Sequence, residues 1–140
     1  MYLRSECEEI VNLLKGSDGL SECYIILAYP YAKKPTRLTK PIIAVSPAGL
    51  DGGAAEIGEE RYFGEYTVSA EIYLPQPLGS PAAYDIAERV INAMLALSPV
   101  RIKLGEIERA DALDCFRLGC AFSFSGEIDF KGGERDGQQG

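Results

Sequence analysis

An α+β domain, built on a single mainly antiparallel five-stranded sheet with two helices packed on one face, is the fold this sequence predicts. Three observations lead there. Two stretches repeat apolar residues at three- and four-residue spacing, as a helix with one buried stripe does. Five others are short, rich in β-branched and aromatic residues, and several alternate apolar with polar side chains, the mark of a strand wet on one face. The whole is 140 residues, about one domain's worth of chain, with no internal repeat and no linker. One-faced strands and one-faced helices bury their apolar sides together most simply in two layers, in the order α-β-β-β-α-β-β. The polar sheet face, with Thr67, Ser69, Glu71, Arg101, Lys103 and Arg117, is then left for solvent or another subunit.

The first helix is carried by Leu3, Cys7, Ile10, Val11 and Leu14, with Arg4, Glu8, Glu9 and Lys15 on the other face, and Gly16 stops it. Cys23 to Tyr29 reads as a strand ended by Pro30, and Pro41 to Ser46 as another ended by Pro47. Between them, Lys33, Lys34, Arg37 and Lys40 make an exposed basic loop over 31–40. Residues 48–60, with glycine at 49, 52, 53 and 58, are too glycine-rich for a regular element and read as a long, mobile loop. The clearest strand follows: Tyr66, Val68, Ala70, Ile72 and Leu74 alternate with polar neighbours until Pro75 and Pro77.

Ser80 as N-cap and Pro81 in the first turn open the second helix, whose stripe is Ala83, Ile86, Ala87, Val90, Ile91, Met94 and Leu95, with Pro99 closing the segment. Asp85 and Arg89 stand at i,i+4 on its wet face. Two more strands, one with Val100, Ile102 and Leu104 on its apolar face and one with Phe116, Leu118, Cys120, Phe122 and Phe124, form a hairpin across the polar stretch 106–114. The folded domain is expected to span 1–130, and the polar, glycine-rich tail 131–140 to be disordered.

Composition narrows the chemistry. The chain holds no histidine, which removes Ser-His-Asp and Cys-His nucleophilic systems and histidine general bases together. A net charge of −7 opposes non-specific binding to phosphate backbones and anionic lipid. The N-terminus has no basic segment followed by an apolar core, and no apolar run approaches the ~18 residues of a span, so the chain is expected in the cytoplasm when made, with no membrane partner. Cys115 and Cys120, five apart in a strand, fall on opposite sheet faces and cannot share a metal ion; all four cysteines read as reduced thiols, with no cofactor implied. Carboxylate pairs such as Glu59 with Glu60 and Glu106 with Glu108 sit among Gly, Ala and Arg, without the apolar pocket a general acid needs. The chain is therefore read as a protein that is not an enzyme.

The remaining signal is charge segregation. Lys33, Lys34, Arg37 and Lys40 carry only positive charge, while Asp51, Glu56, Glu59 and Glu60 carry only negative charge. Two loops of opposite sign on one small domain suit docking of copies head to tail, a contact that closes into a ring when the rotation permits.

The run Tyr66-Thr67-Val68-Ser69-Ala70-Glu71-Ile72-Tyr73-Leu74-Pro75, the helix from Ala82 to Leu95 and the strands that follow, with Ala110 to Phe116 between them, resemble the tail-terminator and tail-completion proteins of long-tailed bacteriophages. The resemblance covers residues 1 to about 130 by element order and carries no catalytic signature. It implies a structural virion protein, phage or prophage, that forms a homo-oligomeric and typically hexameric ring. Such a ring caps the tail tube, ends tube polymerisation and joins the tail to the head connector. Its implied partners are further copies of itself, the tube protein and the connector protein, with DNA passing through without specific binding; its place is the tail of the virion. Two other readings stand beside it: a head-completion or adaptor protein at the same joint, and a small dimeric ligand-binding or regulatory domain in which Phe116, Phe122 and Phe124 line a pocket.

Overall fold

The computed structural model describes residues 3–27, 40–54, 62–110 and 115–128. In chain order these form α1 (Leu3–Lys15), β1 (Tyr24–Leu27), β2 (Ile42–Ala54), β3 (Tyr62–Pro75), α2 (Ser80–Met94), β4 (Arg101–Leu104), β5 (Glu108–Ala110) and β6 (Cys115–Ile128), with single 3-10 turns at Gln76–Leu78 and Leu95–Leu97. The class is α+β, as the patterning predicts, but the sheet has six strands and is mixed. Its order is β1-β2-β3-β6-β4, with β5 also on β6.

The parallel element is β1, which pairs with β2 from Tyr24 opposite Ile42 to Leu27 opposite Val45. Parallel neighbours need a connection long enough to return to the same end, about a dozen residues, and the segment between Leu27 and Ile42 meets that length. The strand missing from the expected order is β5. It lies in the stretch taken as a polar connection, where Glu108 faces Arg117 and Ala110 faces Cys115. Strands β4 and β5 run along one edge of β6 as a broken strand: residues 105–107 stand opposite only 118 and 119, a bulge held by the Gly105 N–H donating to the Gly119 carbonyl at 2.8 Å.

The glycine-rich stretch is not wholly a loop. Strand β2 continues past Pro47 to Ala54, in register with β3 as far as Tyr62. Pro47 is tolerated where no described residue of β1 stands opposite it and a bulge at Ala48 follows. The weak strand propensity of Gly49, Gly52 and Gly53 is overridden by β3, which pairs without interruption on its other side from Tyr62 opposite Ile128 to Pro75 opposite Cys115.

Both helices lie on one face of the sheet, α1 over β1 and β2, α2 over β3 and β6. Cys7, Ile10, Val11 and Leu14 of α1 and Ala83, Ile86, Ala87, Val90 and Met94 of α2 close over Ile25, Ile43, Val45, Val68, Ile72, Leu118 and Phe122. Ser80 is the first residue of α2 and gives no side-chain cap. The N-cap is Gly79, whose φ of 82° lies in the left-handed region that side chains avoid. Arg89 donates to the Gly19 carbonyl at 3.2 Å and so ties α2 to the turn after α1, where the sequence suggested a pair with Asp85.

At the other end of α1, the Tyr66 hydroxyl donates to Glu6 Oε1 at 2.7 Å while its ring stacks on Phe124, centroids 5.3 Å apart. Burial, with the Glu6 carboxylate beside it, holds the Tyr66 hydroxyl well above the ordinary tyrosine range, so it stays a donor at any physiological pH. Tyr66→Phe keeps the stack and leaves half-buried Glu6 without this donor. The expected loss is about 1–2 kcal/mol in equilibrium urea unfolding, and an unchanged midpoint would show that α1 is held by packing alone.

Candidate interaction surface

Alternation from the register assigns every described strand residue to the helix-covered inner face or to the outer face. The outer face carries Thr67, Ser69 and Glu71 on β3, Arg117 on β6, and Arg101 and Lys103 on β4, the set expected there, and with them Ser123 of β6. Their charges are largely matched. Arg101 Nη1 is bonded to Glu65 Oε1, and Arg117 reaches Glu108 Oε1 at 3.0 Å and Glu71 Oε2 at 3.8 Å. Tyr73 donates its hydroxyl to Glu71 Oε1 at 2.9 Å, and the Thr67 and Ser123 hydroxyls lie 3.0 Å apart. Pairs this exposed contribute little stability one by one, and their effect is to fix which strand edges present net charge.

The outer face is not polar throughout. Ile42, Ala44, Tyr73 and Cys115 lie on it as a second buried apolar cluster, joined by partly buried Ile26. Cys115 and Cys120 thus fall on opposite faces, as their odd spacing requires, Cys120 in the main core and Cys115 in this second cluster. Burial pushes the Cys7 and Cys120 thiols up to about 11, which keeps both protonated and unreactive.

Of the residues singled out by charge, Lys40 and Asp51 fall within the described structure; Lys33, Lys34, Arg37, Glu56, Glu59 and Glu60 lie outside it, as does the tail 131–140. Lys40 precedes β2 and holds its Nζ 5.5 Å from the centre of the Tyr24 ring. Asp51 is exposed near the other end of β2, opposite Glu65. At about 3.3 Å per residue, Lys40 and Asp51 stand up to ~35 Å apart along one strand and cannot meet within one copy.

Sequence reasoning passed over one feature. Leu95, Leu97, Val100, Ile102 and Leu104, five large apolar residues in a stretch of ten, are all exposed. The alternation of Val100, Ile102 and Leu104 correctly marks one strand face, but β4 lies at the sheet edge and α2 covers β3 and β6, so this apolar face is left open. Arg101 and Lys103, alternating with them, gave the available signal, since cations on alternate positions are typical of edge strands. Phe122 and Phe124 are buried in the core, and Phe116 packs against it. An open groove of about 290 Å³ lies elsewhere, lined by Ser17, Asp18, Arg89, Asn92 and Ala93.

Among the described residues no group of three Cys, Asp or Glu could hold a metal ion, and no helix is long and apolar enough to cross a membrane. No family model matches the chain, and no curated protein is significantly similar to it.

Proposed function

We propose that this chain is a structural subunit of a long-tailed phage or prophage virion. Its copies assemble head to tail into a ring, six-fold in the family it resembles, that caps the tail tube, ends tube growth and joins the tail to the head connector. The observation that carries this reading is the exposed apolar run from Leu95 to Leu104 at an open sheet edge, a surface that no described element covers and that suits burial against another copy. The separation of Lys40, just before β2, from Asp51 near its other end supports it too, because opposite charges that far apart in one copy attract between copies and not within one. The negative balance of the chain suits a channel through which a polyanion slides without being retained.

Electron microscopy of the purified protein mixed with tail tubes tests the reading. Density is expected at one end of each tube, together with arrest of further tube growth. Tubes that elongate unhindered with bare ends would overturn it.

A further inference from the structure

Among the described residues the outer edges of β1, β4 and β5 and the far half of β2 carry no neighbouring strand, and two of these edges match each other. One is the outer edge of β4. The other is the far half of β2, because β1 pairs with Ile42–Val45 and no described strand lies beside residues 46–54. On β4, Ile102 and Leu104 point to the inner face, 38% and 44% exposed, and Lys103 to the outer face. On β2, Leu50 points to the inner face, 40% exposed, and Asp51 to the outer face.

We propose that these two edges pair between copies, the β2 edge of one protomer against the β4 edge of the next, so that the sheet continues across the subunit junction. The inference rests on the ring reading above and names the surfaces that close it. Within one protomer β2 runs antiparallel to β4, since β2, β3, β6 and β4 alternate in direction. Copies related by rotation about an axis along the strands therefore meet with β2 antiparallel to β4. In the register that places Asp51 opposite Lys103, Leu50 falls opposite Leu104 on the inner face and Gly52 opposite Ile102. Charge meets opposite charge on one face and apolar meets apolar on the other. The Gly105 N–H bonds back to Gly119, so strand alternation turns the backbone groups of Ile102 and Leu104 outward, toward the arriving strand.

Self-pairing of β4 is the competing arrangement. Keeping faces matched, the longer registers set Lys103 against Arg101 or against another Lys103, where like charges directly opposite oppose it, and the shorter one that sets Leu104 against Leu104 leaves Lys103 opposite Gly105 with no charge partner. The junction is thus heterologous, as a ring requires.

Cysteine cross-linking decides between them. Leu50→Cys and Leu104→Cys alter exposed side chains, and the native cysteines are buried or half-buried. Under mild oxidation the double variant is expected to give covalent trimers and higher multimers, with neither single variant giving more than a trace. Lys103→Glu is expected to assemble only at a concentration about tenfold or more above that of the wild-type protein, and Asp51→Lys added to it to recover most of that loss. Covalent dimers from Leu104→Cys alone would overturn the junction in favour of self-pairing. A double variant that does not cross-link, while wild-type protein still caps tubes, would overturn the junction and leave the ring. A wild-type protein that stays monomeric with and without tubes would overturn both.

Discussion

Phe122→Ala is expected to lower the unfolding free energy by about 3–5 kcal/mol, the range for deleting a buried aromatic ring from a packed core. Phe122 is the largest fully buried side chain, at 0% exposure, on the strand that joins the two halves of the sheet. It stands opposite Val68 on one side and Ile102 on the other. Val68 is itself fully buried and has no room to swing into the space, whereas Ile102 at the open edge has freedom to lean inward. That asymmetry favours the lower half of the range. Because a domain of this size is stable by about 5–15 kcal/mol in all, the variant should unfold at a much lower guanidinium concentration with the slope unchanged. A loss below about 1 kcal/mol would mean that the sheet and α2 do not close over this ring.

The same residue shows which parts of the fold are legible in the sequence. Wherever a face is buried, its period is imposed on the chain, and Val68 to Leu74, Leu118 to Phe124, Cys7 to Leu14 and Ala83 to Met94 all lie on the side their spacing predicts. Three features are not local in that sense. The parallel direction of β1 depends on where a long connection returns, which periodicity does not encode. The extension of β2 through Gly49, Gly52 and Gly53 depends on β3 offering an unbroken ladder beside residues with weak preference of their own. The three residues of β5 are too few to show a period, and they exist because Arg117 and Cys115 on β6 stand opposite them.

The candidate surface follows the same division. The outer-face residues Thr67, Arg101 and Arg117 follow from alternation alone, and their ion pairs then follow from the register. The exposure of Ile102 and Leu104 does not, because a strand with one apolar face reads alike whether or not a helix covers it. What distinguishes the cases is position in the sheet, and that is decided by pairing partners far away in sequence. Charge segregation is visible in composition. Yet the structure puts Lys40 just before β2 and Asp51 near the far end of that strand, too far apart for a contact within one copy.

Alkaline pH is expected to destabilise the protein, and the buried thiols set the window. In the unfolded chain Cys7 and Cys120 ionise near their ordinary value of 9.0, whereas burial in the folded core pushes each up to about 11. A folded value raised above the unfolded one contributes stability that is complete below pH 9 and is lost as pH climbs toward 11, because over that interval the unfolded chain releases protons the folded chain retains. At 1.36 kcal/mol per pH unit, a rise from 9.0 to about 11 corresponds to about 3 kcal/mol for each thiol. Tyr66, also raised by burial and by Glu6, adds to the loss above its ordinary value of 10.0. The measurement is a comparison with a variant that lacks the two thiols. Guanidinium unfolding at pH 8 and pH 11, under reducing conditions, is expected to show several kcal/mol more alkaline loss in the wild-type protein than in Cys7→Ala/Cys120→Ala. The double variant starts weaker at pH 8 because of the cavities it creates, but it has lost both fully buried thiols of the main core and keeps only half-buried Cys23 against it. Parallel losses in the two proteins would mean that Cys7 and Cys120 exchange protons with solvent freely in the folded state, and the closure of α1 and β6 around them would have to be abandoned.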